Sequence, residues 1–155
     1  MSERIWLYPI SKTLSKEQLN SLKENCLAFV NSWAAHDQQL NASFEIYKNR
    51  ILIFKVDESV YNASGCSIDK LTHLIQSLEK TFSIELLNRF LVAYDDKDSV
   101  RAVHSSKIKE LLESGAIDKN TIVFDNTISS SEQLNEWRKP LNQTWLCKYL
   151  PAVSS

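Results

Sequence analysis

From Arg4 to Ser11, Ile5 and Leu7 alternate with Trp6, Tyr8 and Ile10. That is the period-two rhythm of a strand, and Pro9 puts it at an edge or a strand end. Ser15 followed by Gln18 has the form of a capping box, after which Leu19, Leu22, Cys26, Phe29 and Trp33 recur at steps of three and four. The spacing predicts an amphipathic helix with Cys26 on its core face. Ala42, Phe44 and Ile46 alternate with Ser43, Glu45 and Tyr47, then Lys48-Asn49-Arg50 turns the chain into the nearly continuous apolar run from Ile51 to Val56. This reads as a hairpin whose second strand is central.

A polar loop from Asp57 to Gly65 precedes a second helical stripe of Ile68, Leu71, Ile75, Leu78 and Phe82. Phe90 to Tyr94 reads as a strand, Asp95-Asp96-Lys97-Asp98 as a turn and Val100 to Val103 as a returning strand. Ser105 or Ser106 is expected to cap a short helix carrying Ile108, Leu111 and Leu112, closed by Gly115 in the left-handed position. Thr121 to Phe124 is a buried strand. A last helical region begins at Ser131, breaks at Pro140 and resumes through Trp145 and Leu146, with the residues after Pro151 fraying. Residues 4 to 94 thus spell β-α-β-β-α-β, the split βαβ arrangement of ferredoxin-like folds, with a strand, helix, strand and helix appended. The expected class is α+β: one domain over residues 1–155, with an antiparallel or mixed sheet and helices on one face.

Composition narrows the function rather than the fold. The 155 residues suffice to bury roughly 70% of the unfolded surface, and 43% hydrophobic, 24% charged residues and a net charge of -1 are those of an ordinary globular protein. Charge is evenly mixed along the sequence, with no basic stripe, so nucleic acid is not an expected partner. No apolar run approaches 18 residues and the chain opens without a secretory pattern, which predicts a cytoplasmic protein that does not insert in membranes. In a reducing compartment Cys26, Cys66 and Cys147, odd in number and far apart, read as free thiols, and the asparagine glycosylation patterns at Asn41, Asn62 and Asn142 carry no meaning.

The motifs are mostly exclusions. A phosphate-cradling loop needs several glycines, and the chain has two, Gly65 and Gly115. The cysteines and His36, His73 and His104 show none of the paired spacings of a zinc site, and neither metal nor cofactor is expected. The one stretch with chemical promise is Ser64-Gly65-Cys66-Ser67-Ile68-Asp69. At 100° per residue, Asp69 and His73 fall at about 300° and about 340° from Cys66, sharing its face, while the apolar stripe centres near 160°. A thiol in a first helical turn is favoured as thiolate, and Asp69 one turn before His73 supplies an oriented base, so Cys66, Asp69 and His73 hold the parts of a thiol-dependent or hydrolytic site. The N–H groups near Ser64, Gly65 and Ser67 equally suit a small anion bound without chemistry. The same residues also make a plain capped, solvated helix.

Two further groupings deserve a place. Asp57-Glu58 and Asp125 each follow a strand, and would converge on a metal or an acid/base task if those strand ends point the same way. Trp137, Trp145 and Tyr149 make the C-terminal region aromatic, which fits a core or the anchor of a homodimer.

The segments Trp6-Leu7-Tyr8-Pro9-Ile10, Ala42-Ser43-Phe44-Glu45-Ile46, Val56-Asp57-Glu58-Ser59 and Ala63-Ser64-Gly65-Cys66-Ser67-Ile68-Asp69-Lys70 resemble, over most of the chain, a family of small bacterial proteins of about this length often labelled "ABC transporter ATPase". The label implies a phosphate loop with its lysine, a signature motif and a longer chain. None of these is present, and ATPase activity is not expected. Gly65-Cys66-Ser67-Ile68 is also similar to the glycine-cysteine step of iron–sulfur scaffold proteins, although the other cysteines lie in different contexts. The function expected is a non-enzymatic module that binds a small anionic ligand or a protein partner, with a Cys66-dependent enzyme as the alternative.

Overall fold

The computed structural model describes residues 3–151; the tail beyond Pro151 lies outside them. In chain order the elements are β1 (Arg4–Pro9), α1 (Lys16–Ser32), β2 (Ala34–Ala35), β3 (Gln38–Gln39), β4 (Asn41–Tyr47), β5 (Ile51–Asp57), α2 (Gly65–Phe82), β6 (Leu91–Asp96), β7 (Ser99–His104), α3 (Ile108–Ser114), β8 (Ile122–Phe124) and β9 (Arg138–Pro140), joined by short 3-10 turns. The α+β class expected from the sequence is what the chain forms. α1 starts where the capping box places it, with Ser15 Oγ accepting from the Gln18 N–H at 3.1 Å and Gln18 Oε1 accepting from the Ser15 N–H at 2.9 Å.

The apolar run of β5 organises the rest. β5 is the middle strand of the antiparallel sheet β1-β5-β4. Leu52, Phe54 and Val56 face Leu22, Cys26 and Trp33 of the α1 segment and Leu71, Ile75 and Leu78 of α2. Ile51 and Ile53 point the other way, with Ile5, against Ala93, Val100, Phe124 and Trp137. Leaving Ile51 and Ile53 in water would forgo roughly 1.5–3 kcal/mol each, so the sheet needs a cover on both faces. That cover is a second antiparallel sheet, β7-β6-β8-β9. On its far side Val92, Tyr94 and Val123 pack on Ile108 of α3 and on Leu141 and Leu146. The layers therefore run helices, sheet, sheet, helix with turns, and helices cover one face of each sheet rather than of a single one.

The order β1-β5-β4 is what a split βαβ unit gives its first three strands, all antiparallel. The fourth, β6, does not join β1. It is an inner strand of the second sheet, flanked by β7 and β8. The outer edge of β1 is taken instead by residues 129–131: the Ile5 N–H donates to Ser129 O at 3.0 Å and the Ser131 N–H to Glu3 O at 2.8 Å. The ferredoxin-like arrangement stops at three strands.

Three local expectations are corrected. Asp95 and Asp96 belong to β6, and Lys97-Asp98 alone form the turn; Asp96 stays in the strand paired with Arg101 Nε at 2.6 Å, and Asp95 pairs with Arg138. Neither serine caps α3, whose N-cap is Lys107 without a side-chain bond; His104 caps the 3-10 turn Ser105–Lys107 leading into it, its Nδ1 accepting from the Ser106 N–H at 3.1 Å, while Gly115 closes the helix at φ 78° as expected. After Ser131 the chain makes 3-10 turns and the strand β9 in place of a helix. Pro140 ends that strand, and the Asp125 N–H finds Trp137 O at 2.7 Å, a pairing a helix would forbid.

Candidate functional site

The N-terminus of α2 is built as a structural cap. Ser64 Oγ accepts from the Ser67 N–H at 3.2 Å and Ser67 Oγ from the Ser64 N–H at 2.7 Å, a serine version of the reciprocal capping box. Ser67 is fully buried, its hydroxyl also donates to Ser64 O at 2.8 Å, and its carbonyl accepts from the Trp33 indole N–H at 2.8 Å. Ser67 therefore faces the core, with its hydroxyl committed to the cap. The buried stripe is Ser67, Leu71, Ile75, Leu78 and Phe82, with Ile68 only partly covered.

Cys66, Asp69 and His73 are exposed on the opposite face, as the helical geometry requires. No hydrogen bond or ion pair among the described residues joins any of the three, and none of them lines the clefts beside Asp57, Asp125 or Arg50. Gly65 is open, with no atom of the chain within 4 Å of where a Cβ would stand, so the packing of the fold does not itself require glycine there. Cys26 is sealed in the core, and burial pushes its thiol up to about 12. Cys147 is exposed.

The strand-end carboxylates do not converge. Asp57 lies beside Gln39, Asn41 and Tyr61, held below the usual carboxylate range by the Ser59 N–H that donates to it at 2.9 Å. Asp125 lies in a different cleft, beside Arg89 and Trp145, accepting from the Thr127 N–H at 2.9 Å and 3.8 Å from Lys139 Nζ. Among the described residues no group of three or more His, Cys, Asp or Glu side chains is placed to hold a metal, and no helix is long and apolar enough to cross a membrane. Trp137 is buried between the sheets, edge-on to Phe124 and Tyr47, the core placement the sequence allowed for it. Trp145 is 52% exposed, with Lys148 over its ring and over that of Tyr149.

Charge gathers where sequence order gave no hint of it. Val100 of β7 packs with Ile51 of β5, and this seam brings β7, the β4–β5 turn and the Lys12-Thr13-Leu14 loop around one cleft of about 570 Å³. Lys12, Lys48, Arg50 and Arg101 line it, and no carboxylate does. The turn is closed by the Arg50 N–H donating to Tyr47 O at 2.9 Å, with Lys48 and Asn49 both left-handed at φ 46° and 60°. Asparagine suits that conformation and lysine does not, so the Lys48 cation is presented at a local cost.

Arg50 is half-buried, and its guanidinium finds only neutral partners: Thr13 Oγ1 at 2.5 Å and Ile10 O at 3.4 Å. Burial, then repulsion from Arg101, holds it below the ordinary guanidinium range, with Tyr94 opposing. Among the described residues neither Lys12, Lys48 nor Arg50 pairs with a carboxylate; of the four cations Arg101 alone does, through Asp96. Sequence reading missed this site because its cations come from a loop, a turn and a strand some fifty residues further on. Lys48-Asn49-Arg50 was legible only as a turn.

No protein-family model, curated protein or solved structure matches the chain.

Proposed function

We propose that the protein is a non-enzymatic module that binds a small anionic ligand, and that the ligand sits in the cleft between the β4–β5 turn and β7. The observation that carries this reading is Arg50: a half-buried guanidinium with no carboxylate partner, set against a second arginine. A desolvated charge is costly unless an opposite charge meets it, and the fork of a guanidinium suits the paired oxygens of a carboxylate or phosphate. The cleft volume of about 570 Å³ lies within the ordinary range for small-molecule sites. The site thus moves from the α2 N-terminus to the hairpin tip, while the class of ligand stays as the sequence led one to expect. The alternative of a Cys66-dependent enzyme gains no support from a thiol that neither hydrogen-bonds to Asp69 or His73 nor lines a cleft with them.

Thermal unfolding tests the reading. Pyrophosphate at a hundred times its Kd should stabilise the native state by about 2.7 kcal/mol, raising Tm by roughly 5–10 °C for a domain of this size. Chloride at matched ionic strength should not. Loss of the shift in Arg50→Gln supports the reading; an equal shift in that variant sinks it.

A further inference from the structure

Resting on the anion reading above, we propose that the ligand of the Arg50 cleft is a multiply charged oxyanion recognised through its charged groups alone, such as a pyrophosphate or polycarboxylate unit on an aliphatic or sugar body, and that any nucleobase it carried would add nothing to binding.

Charge sets the first half of this. Four cations line the cleft, and among the described residues the only carboxylate paired with any of them is Asp96, on Arg101 Nε. A single negative charge would neutralise one of Lys12, Lys48 and Arg50 and leave the other two unmatched. Two or three charges, spaced as in a diphosphate or a tricarboxylate, satisfy both guanidinium groups and engage Lys12 or Lys48 at the rim. Neutral donors are in place to complete the shell. The Thr13 hydroxyl accepts from Arg50 and so keeps its own O–H hydrogen for a ligand oxygen, and the Asn49 amide shares the lining.

The floor sets the second half. Apart from these polar groups the walls are aliphatic, with Leu14, Leu19 and Val100 among them, and no Phe, Tyr, Trp or His lines the cleft. Stacking of a base on an aromatic face would add roughly 5- to 150-fold to affinity. Here there is no such face. The exposed ring of Trp145 belongs to the separate cleft beside Asp125 and Lys139.

Isothermal titration with a ladder of probes tests the proposal: acetate, phosphate, pyrophosphate, tripolyphosphate and citrate, then ADP against pyrophosphate and ATP against tripolyphosphate. Affinity is expected to rise with each added charge, with each nucleotide within about threefold of its inorganic counterpart. A nucleotide more than fivefold tighter than its counterpart, or acetate as tight as citrate, overturns it. If no probe binds, or if binding survives unchanged in both Arg50→Gln and the exposed Arg101→Gln, the underlying anion reading fails instead. Arg101→Gln guards against an Arg50 variant that does not fold.

Discussion

The indole N–H of Trp33, just past the end of α1, donates to the carbonyl of Ser67 in the first turn of α2 at 2.8 Å. Both residues are fully or almost fully buried. The bond locks the two helices together where they cover β5, and it draws the first turn of α2 inward.

Trp33→Phe removes that donor while keeping most of the ring. Loss of a buried hydrogen bond of this kind costs about 1–2 kcal/mol, so the melting temperature should fall by roughly 3–6 °C. Anion affinity should not change, because the Arg50 cleft lies elsewhere on the domain.

Alkaline pH should destabilise the fold in a defined window. Burial raises Tyr8 and Cys26 to about 12 from their ordinary values of 10.0 and 9.0. Their neutral forms are favoured by folding, so the stability they contribute is intact below pH 9, where the unfolded chain also keeps both protons. Above pH 9 the unfolded state loses the Cys26 proton first and the Tyr8 proton from about pH 10, and stability falls until the folded groups titrate near 12. Each pKa unit is worth about 1.4 kcal/mol, so urea unfolding at pH 8 and pH 10.5 should differ by a few kcal/mol. Cys26→Ala should flatten the earlier part of that decline.

Thiol titration separates the three cysteines. Cys66 and Cys147 are exposed and Cys26 is sealed in the core. An aromatic disulfide reagent should therefore report two fast thiols in the native protein and a third only on unfolding. Cys66→Ala should remove one fast thiol and leave pyrophosphate binding intact. Loss of binding in that variant would return the site to α2.

Lys48 links stability to binding. It holds a left-handed conformation at φ 46° that asparagine adopts more readily. Lys48→Asn should leave the fold as stable or up to about 1 kcal/mol more stable, and should weaken the anion by about 1 kcal/mol, roughly fivefold. Paired melting and titration curves would read both signs.

The sequence rhythm located α1, α2, the β4–β5 and β6–β7 hairpins and the Gly115 stop, because each is specified by residues close together in the chain. The continuous run Ile51 to Val56 marked β5 as central, and its burial on both faces is satisfied by the second sheet. Which strand would supply that second cover is a matter of long-range packing. Residues 129–131 occupy the β1 edge that a fourth ferredoxin-like strand would take, and nothing near β6 announces it. β9 was hidden for a similar reason: Arg138-Lys139-Pro140 has no strand rhythm and owes its conformation to pairing with β8. The Cys66, Asp69 and His73 face was legible from helical geometry alone. The Arg50 cleft was not, since Lys12, Arg50 and Arg101 meet only once the two sheets have stacked.

Arginine side-chain NMR tests the central claim most directly, because the described chain carries its guanidinium groups at only five places, Arg4, Arg50, Arg89, Arg101 and Arg138. Titrating pyrophosphate should shift the Nε–Hε signals of Arg50 and Arg101 together, saturably and with one Kd, and leave those of Arg4, Arg89 and Arg138 in place. Shifts confined to Arg89 or Arg138, or a linear drift of all five with ionic strength, would contradict the account.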